Sequence, residues 1–239
     1  MGISNIEQRK FTFCPTLAGY NVKYLTTQCP QCTRFFAACC PHQSFGAERA
    51  LPDQKTCHHF QLVFIDGACS DNGQAGAKAG LGITIGDGEE YRWSIAVDDM
   101  VDPHGPRTNQ RAEILAAIAG LQQLEEVNRL HAIYEALGKG DSHHMAARAR
   151  RHTDEPRATY IVVADSEYVV KGITEWFPTW RRRDWRTAAG KRPTNLDLFL
   201  KLDEVTTSLE KEGVAVGFWY IPRAYNHKAD RLAKHATCV

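Results

Sequence analysis

Short apolar runs that end in glycine or polar residues predict three β-strands in the second quarter of the chain. They are residues 61–69 (QLVFIDGAC), 79–85 and 91–97. Gly86, Asp87 and Gly88 lie between the second and third runs and are typical of a hairpin turn. The pattern therefore predicts a three-stranded antiparallel meander.

A different spacing follows, in which apolar residues recur every three or four positions. Residues 109–127 have this spacing, which predicts an amphipathic helix, and Thr108 or Asn109 can cap its start. The same two patterns predict five more elements: strands at 160–164 and 214–221, and helices at 166–176, 196–210 and 227–236. Three strands followed by alternating helices and strands predict an α/β fold, in which helices flank a five-stranded mixed sheet.

Two segments do not fit this order of elements. Six of the eight cysteines precede residue 60, and a turn-rich stretch at 47–55 resembles a linker. We therefore predict a small Cys/His-rich module at 1–59 and a main domain at 60–239. Residues 128–157 contain glycines, several histidines and a run of arginines, and we interpret them as a mobile or partly helical insertion in the main domain.

Composition and charge indicate a compartment for the protein but do not identify its partners. The 29 basic and 28 acidic side chains leave a formal net charge of +1, so overall charge identifies no partner. No apolar run is long enough to span a bilayer, and the first residues lack the apolar stretch of a secretory signal. We therefore expect a monomeric intracellular protein of the nucleus or cytoplasm, with no membrane partner. There, the cysteines should be thiols or metal ligands rather than disulfides.

Four acidic residues stand at the ends of predicted strands or near the starts of predicted helices. Asp66 and Asp165 follow apolar strand residues, while Glu113 and Asp230 lie early in two helices. Each has an ordinary explanation by itself, as a turn residue, a first-turn acid favoured by the helix dipole or a solvated charge. An acid within an apolar strand is costly unless it is paired or binds a cation. Together the four predict a site for divalent cations, which prefer oxygen ligands.

Several motifs, in this order, resemble those of type 1 ribonuclease H, in particular the eukaryotic-like members that have a basic protrusion. The motifs are FIDGACSDNG at 64–73, TNQRAE at 108–113, ADSEYV at 164–169, GITEW at 172–176, WRTAAGK at 185–191 and NHKADRLA at 226–233. The resemblance extends from about residue 60 to the C-terminus, and it includes neither the first segment nor the insertion.

The resemblance implies an endoribonuclease that hydrolyses the RNA strand of RNA/DNA hybrids and leaves 5′-phosphate and 3′-hydroxyl ends. It also implies two Mg²⁺ (or Mn²⁺) ions, about 3.5–4 Å apart, held by the four carboxylates. By position, Asp66 would contact both ions, and Asp230 would help to hold the ion that activates water. Glu113 and Asp165 would hold the ion that stabilises the departing 3′ oxygen.

The resemblance assigns further residues to each strand of the substrate. The implied RNA contacts, which would read the 2′-hydroxyl groups, are Cys69, Asp71, Asn72, Asn109, Gln110 and Glu113. The implied DNA contacts are Arg107, Thr108, Tyr168, Trp180, Trp185 and Asn195. Residues 176–192 contain six basic side chains and one acidic one, with tryptophans between them. This combination favours phosphate binding over a merely solvated surface.

One loop departs from the family pattern. Many members have a histidine in a glycine-containing loop before the last acid, where it assists product release. Here the loop at 221–226 is shorter and has no histidine, and His227 is the nearest candidate to replace it. We therefore expect slower turnover. The departure also leaves open a non-catalytic nucleic-acid-binding module that kept the fold, or a related polynucleotide nuclease or transposon-derived domain with another substrate.

The first segment contains a separate set of possible metal ligands. Cys29 and Cys32, followed by Cys39 and His42, have paired spacing suited to a tetrahedral zinc site. Other candidates for the same role are Cys40, Cys57, His58 and His59. Buried thiols without a metal are the alternative. A nucleic-acid-binding module and a protein-docking module are both open for this segment.

Overall fold

The computed structural model describes residues 5–38, 58–137 and 158–238, and the described strands form one mixed sheet. In chain order they are β1 (Asn5–Glu7), β2 (Lys10–Thr12), β3 (Thr26–Gln28), β4 (Phe35–Ala37), β5 (Phe60–Ser70), β6 (Lys78–Thr84), β7 (Arg92–Val97), β8 (Ala158–Ala164) and β9 (Val214–Tyr220). Strands β5 to β9 are those that the sequence pattern predicted, and their bounds lie within two residues of the predicted ones.

The five predicted strands form the centre of the sheet. β5 pairs antiparallel with β6 and parallel with β8, β6 pairs antiparallel with β7, and β8 pairs parallel with β9. This order places β5 in the middle. The predicted α/β class, with a mixed sheet flanked by helices, is confirmed, and the five predicted strands are the centre of a sheet of nine described strands. The connection between β6 and β7 is longer than a two-residue hairpin turn and includes a 3-10 turn at Glu89–Tyr91.

Helices pack on both faces of the sheet. They are α1 (Val22–Leu25), α2 (Asn109–Ala136), α3 (Glu167–Lys171), α4 (Phe177–Arg182), α5 (Leu196–Lys211) and α6 (His227–Ala236). A π-helical turn at Gly172–Trp176 joins α3 to α4, so the helix predicted at 166–176 extends to Arg182. Thr108 Oγ1 accepts a 3.3 Å hydrogen bond from the N–H of Arg111, which makes Thr108 the cap of α2. None of the described helices is both long and apolar enough to cross a membrane.

Helix α2 is longer than the sequence pattern predicted. It continues to Ala136, so the first part of the predicted insertion, residues 128–136, is helical and extends α2. No glycine or proline interrupts residues 121–137, and Asn128 donates a 2.9 Å hydrogen bond to the Tyr160 hydroxyl on β8. The apolar side chains of this last part are exposed and therefore gave no core-facing pattern: Leu130, Ile133 and Tyr134. The rest of the predicted insertion, residues 138–157, lies outside the described residues.

The first segment adds four short strands to the sheet at two places. The β1–β2 hairpin joins β9, where Lys10 pairs with Phe218. The β3–β4 hairpin joins β5 through Phe36 and Gln61, on a stretch of β5 that β6 leaves unpaired. Strands of three residues have too few side chains to show a two-residue pattern, and the sequence did not predict them. The division between residues 59 and 60 stays a prediction, while the described strands on both sides of it belong to one sheet.

Side chains alternate between two apolar clusters along β5. Val63 and Ile65 belong to the larger cluster, between the sheet and helices α2, α3 and α5. Leu62 and Phe64 belong to the smaller one, beneath α6 and the first segment. Asp66 follows Phe64 by two residues and so lies on the same face as the smaller cluster.

Helix α6 lies directly on β6. A Cβ atom added to Gly82 would overlap the carbonyl oxygen of Ala229, and one added to Gly80 would overlap that of Ala233. Small residues on both elements therefore allow α6, and Asp230 within it, to approach the sheet closely.

The Gly82→Ala substitution should lower the free energy of unfolding by about 1–3 kcal/mol, because the new methyl group would overlap the backbone of α6. Urea unfolding followed by circular dichroism measures the change. The matched control is Gly19→Ala, since no other heavy atom lies within 4 Å of a Cβ at Gly19. Equal stability of the two variants would contradict this close packing.

Candidate active site

Two neighbouring parallel strands place two of the predicted acids side by side. Asp66 lies on β5 directly after Ile65, which pairs with Ala164 of β8. Asp165 directly follows Ala164. Because the two strands run in the same direction, their aspartates occupy adjacent positions at the same end of the sheet.

The other two acids reach this place from helices on opposite faces. Glu113 is in α2, and a Cβ added to Gly67 of β5 would overlap the Glu113 backbone, so α2 touches β5 beside Asp66. Asp230 is in the first turn of α6. The other three acids all act on Asp66 through their charge. The structure thus brings together the four acids that the sequence singled out.

Burial and neighbouring charge both act on Asp66. It is buried, with 6% of its surface exposed. Burial, followed by the charges of Asp165 and Asp230, raises the pKa of Asp66 to about 7, although Arg223 opposes the change. The site therefore concentrates negative charge that a bound cation would relieve.

Neutral side chains orient two of the acids. Ser166 Oγ donates a 2.6 Å hydrogen bond to Glu113 Oε2, while burial nevertheless raises the pKa of Glu113. Asn226 Nδ2 donates a 2.6 Å hydrogen bond to Asp165 Oδ1 and one of 2.9 Å to the carbonyl of Ile65. Asn226 is buried, and its Oδ1 has no hydrogen-bond partner among the described residues.

Two basic side chains hold Asp230. Arg223 donates a 2.5 Å hydrogen bond to Oδ1, and Lys234 donates one of 2.7 Å to Oδ2. Burial would raise the pKa of Asp230, but the hydrogen bonds from Lys234 and Arg223 outweigh it and lower that pKa. Arg223 Nε also lies 4.0 Å from Asp165 Oδ2, so this guanidinium stands between two of the acids.

Four side chains that contact the acids had no role predicted from the sequence: Ser166, Arg223, Asn226 and Lys234. Ser166 and Asn226 stand within two of the motifs quoted above, but nothing in the sequence indicated which acid they bond. Arg223 stands in the short loop that departs from the family pattern. In the described residues, Arg223 rather than His227 hydrogen-bonds to an acid, and only the folded position of the loop reveals this.

The donor set suits a hard divalent cation. The four acids offer only carboxylate oxygens, the ligands that Mg²⁺ and Mn²⁺ prefer. The raised pKa of Asp66 and the unpaired Asn226 oxygen are both typical of a site that is completed by a cation and its water. The residues present therefore fit Mg²⁺ or Mn²⁺.

The predicted RNA contacts lie around the start of α2 and the end of β5. Asn72 Oδ1 accepts a 2.9 Å hydrogen bond from the N–H of Asn109, and Asp71 beside it has a left-handed backbone with φ 49°. Cys69 is partly buried, and burial raises the pKa of its thiol. Gln110 is exposed at the next position of α2. These side chains lie on the two elements that also hold Asp66 and Glu113.

Three of the predicted DNA contacts lie at the starts of two helices. Tyr168 Oη accepts a 3.2 Å hydrogen bond from Asn195 Nδ2, and Arg111 donates one of 3.4 Å to Asn195 Oδ1. Asn195 precedes α5, and Arg107 and Thr108 precede α2. Helix N-termini favour anions, so this arrangement is compatible with a phosphate contact.

The two predicted tryptophans are partly buried. The Trp180 ring lies 5.5 Å from that of Phe199, and the Trp185 ring lies 5.3 Å from that of Phe177. Trp176, which the sequence analysis did not assign, is more exposed. The structure therefore leaves only part of each predicted tryptophan accessible to a nucleic acid.

All six basic side chains in residues 176–192 are exposed. Arg181 differs from the others because it forms a 2.6 Å salt bridge with Asp203. The others are exposed and form no salt bridge with a described residue: Arg182, Arg183, Arg186, Lys191 and Arg192. Their positive charge remains available to a polyanion.

A second cluster lies apart from the acids, in the first segment. The ligand atoms of Cys29, Cys32 and His58 lie within 4.8 Å of one another. Cys39 and His42, the other predicted zinc ligands, lie outside the described residues. Burial raises the pKa of Cys32 to about 11, and the described cysteines form no disulfide with one another.

Metal-free protein should lose stability as the pH rises from about 4 to about 7, because Asp66 ionises at a higher pH when folded than when unfolded. The Asp66→Asn variant removes this ionisation. It should be more stable than the unchanged protein by about 1–3 kcal/mol at pH 8, and gain little at pH 4. Denaturant unfolding at both values tests this, with exposed Asp184→Asn as the control. A gain that does not depend on pH would contradict the burial argument.

Comparison with known proteins agrees with the motifs. A family model described as RNase H matches residues 59–237. Ribonuclease H1 of Mus musculus is 30% identical over 177 residues, which cover 72% of this chain and 48% of that protein. The chain thus spans about half the length of this relative. Ribonuclease H of Cyanothece sp. is 32% identical over 176 residues, which cover 72% of this chain and 85% of that protein.

Two solved structures show a weaker likeness. RNase H1 from the archaeon Halobacterium salinarum is 21% identical, with a TM-score of 0.42 over 74% of this chain and 96% of that one. LC11-RNase H1 in complex with RNA/DNA hybrid is 20% identical, with a TM-score of 0.43 over the same shares of the two chains. The family match extends over most of the chain and the cyanobacterial relative is covered over most of its length, so this chain belongs to the RNase H family.

Proposed function

We propose that this protein hydrolyses the RNA strand of RNA/DNA hybrids and leaves 5′-phosphate and 3′-hydroxyl ends. The observation on which the proposal rests is the meeting of four acids, from β5, α2, the end of β8 and α6, at one end of the sheet. Isolated acids on these elements would each be tolerated in solvent, but three acids gathered around buried Asp66 are costly without a cation.

Two Mg²⁺ or Mn²⁺ ions are the proposed cofactors. Asp66, Glu113, Asp165 and Asp230 would hold them. When bound, a pair of such ions activates a water molecule and stabilises the departing oxygen of a phosphodiester. Asn226 and Ser166 keep Asp165 and Glu113 oriented through their 2.6 Å hydrogen bonds.

In the metal-free site, Arg223 offsets part of the negative charge of the four acids. Its guanidinium bonds to Asp230 and lies near Asp165, where it offsets negative charge. A cation held by Asp230 would compete with Arg223 for that carboxylate. The side chain is exposed at the protein surface and is therefore free to turn towards a phosphate of the substrate.

Two surfaces would hold the two strands of a hybrid. The RNA strand would contact Cys69, Asp71, Asn72, Asn109 and Gln110, whose polar groups lie beside the acids. The DNA strand would contact the starts of α2 and α5 and the basic residues of 176–192. These basic residues support the proposal because, in the described chain, no acid neutralises most of them.

The Asp165→Asn variant should lose hybrid cleavage by at least about a hundredfold while it binds hybrid with unchanged affinity, because it removes a metal ligand and keeps the shape of the side chain. Cleavage of a labelled hybrid with Mg²⁺, and binding with Ca²⁺, measure the two effects. Exposed Glu204→Gln on α5 is the matched control and should retain full activity.

Other outcomes would support the competing functions. Hybrid binding without cleavage in the unchanged protein, with either Mg²⁺ or Mn²⁺, would favour a non-catalytic binding module. Preferential cleavage of double-stranded RNA or double-stranded DNA would favour a related nuclease with another substrate. Activity of Asp165→Asn equal to that of Glu204→Gln would contradict the proposed role of Asp165 as a metal ligand.

The triple variant Arg186→Ala, Lys191→Ala and Arg192→Ala should bind hybrid more weakly and with a smaller dependence on salt. Each lost phosphate contact lowers the slope of log affinity against log salt by about one. Fluorescence anisotropy at several salt concentrations gives this slope. A control triple variant removes the same charge elsewhere: Arg129→Ala, Lys201→Ala and Lys211→Ala. Equal slopes for the two triple variants would contradict a DNA-binding role for residues 176–192.

A further inference from the structure

Cys29 and Cys32 lie in the tight turn between β3 and β4. The N–H of Cys29 donates to the carbonyl of Arg34, and the N–H of Thr33 donates to the carbonyl of Cys29, both at 2.9 Å. Thr33 has a left-handed backbone with φ 56°, which is costly for a β-branched residue. Such a conformation persists only where the surrounding structure stabilises it. This turn brings the two thiols close together.

His58 approaches the same turn from a distant part of the sequence, two residues before β5. Cys32 Sγ and His58 Nε2 are 3.9 Å apart, and all three ligand atoms lie within 4.8 Å of one another. In tetrahedral zinc sites, bond lengths of about 2.3 Å to sulfur and about 2.0 Å to nitrogen separate the ligand atoms by about 3.5–3.8 Å. Small side-chain movements would therefore bring these three atoms to three of the four positions of a tetrahedral site, and a water molecule or a further side chain would fill the fourth.

The pairing of strands fixes the histidine in this place. The His58 ring stacks on Phe36, with 4.0 Å between ring centroids and 10° between planes. Phe36 is on β4 and pairs with Gln61 of β5. The two cysteines and the histidine are thus held together by the sheet.

Arg34 joins the same turn to the rest of the domain. Its side chain is buried and donates hydrogen bonds of 2.5 Å to Gln61 on β5 and 3.1 Å to Asn128 on α2. The turn that contains Cys29 and Cys32 is therefore held against β5 and α2 by side-chain contacts as well as by strand pairing.

We propose that Cys29, Cys32 and His58 bind one structural zinc ion that fastens the β3–β4 hairpin to the start of β5. Each thiol releases its proton to solvent on binding, and the two thiolates balance the charge of the ion. Phe60 and Asp66 are six residues apart along β5, about 20 Å, so the ion does not take part in the chemistry at the acids. The proposal is therefore independent of the proposed nuclease activity.

Metal content of the full chain, purified under reducing conditions, tests the proposal. We expect about one zinc per chain, and visible absorption typical of thiolate coordination when Co²⁺ replaces it. Three single variants should each lose the zinc: Cys29→Ser, Cys32→Ser and His58→Ala. The matched controls Cys238→Ser and His59→Ala should keep it. Unchanged protein with reduced thiols and no bound zinc would overturn the proposal.

The same assay separates His58 from the ligands that the sequence favoured. Retention of zinc by His58→Ala together with its loss in His42→Ala would overturn the assignment of His58. Should His58→Ala fail to fold, X-ray absorption at the zinc K-edge of the unchanged protein identifies the atoms that bind the zinc. At least two sulfur neighbours and one nitrogen neighbour support the site, and coordination by oxygen alone overturns it.

Hydrogen exchange tests the fastening role without any activity measurement. The N–H groups of Cys29 and Phe35 bond to Arg34 and Ile85, and chelation of the zinc should accelerate their exchange at least about tenfold. The N–H of Phe218, which bonds to Arg9 at the β2 edge of the sheet, is the internal control and should not change. Equal acceleration at all three amides, or none at Cys29 and Phe35, would contradict local fastening.

Discussion

The burial of Asp66 among three other acids is the constraint on which the site depends. Burial and repulsion raise its pKa to about 7, so an ionised Asp66 requires compensation. The surrounding residues supply it in part: Arg223 and Lys234 hold Asp230, and Asn226 holds Asp165. The proposed divalent cations would offset the negative charge that these side chains leave uncompensated.

The sheet makes this crowding possible. Parallel pairing of β5 with β8 places two aspartates side by side, and small residues on β6 and α6 let the helix with Asp230 lie against the strands. On the opposite face of the sheet, α2 packs directly against β5 at Gly67, which has no side chain to separate them. The packing of strands and helices against one another therefore determines the position of each acid.

The first segment contacts both the sheet and the loop at 221–226. Its strands extend the sheet, and Phe11 and Phe35 cover the smaller apolar cluster. Asn21 donates a 2.7 Å hydrogen bond to the Tyr225 hydroxyl in the loop that also contains Arg223. A cavity of about 270 Å³ separates this loop from the β3–β4 hairpin. The segment therefore borders the loop that holds two of the acids.

The sequence by itself determined the five central strands, most of the helices and the identity of the four acids, because apolar periodicity and acids next to strands are local patterns. It could not determine the end of α2, whose last apolar residues face solvent, or the three-residue strands, which form only by pairing with a distant edge. Tertiary structure alone decided that Arg223 lies between two acids and that His58 lies beside Cys29 and Cys32. Such contacts join residues far apart in the chain, and their distances depend on how the sheet is assembled.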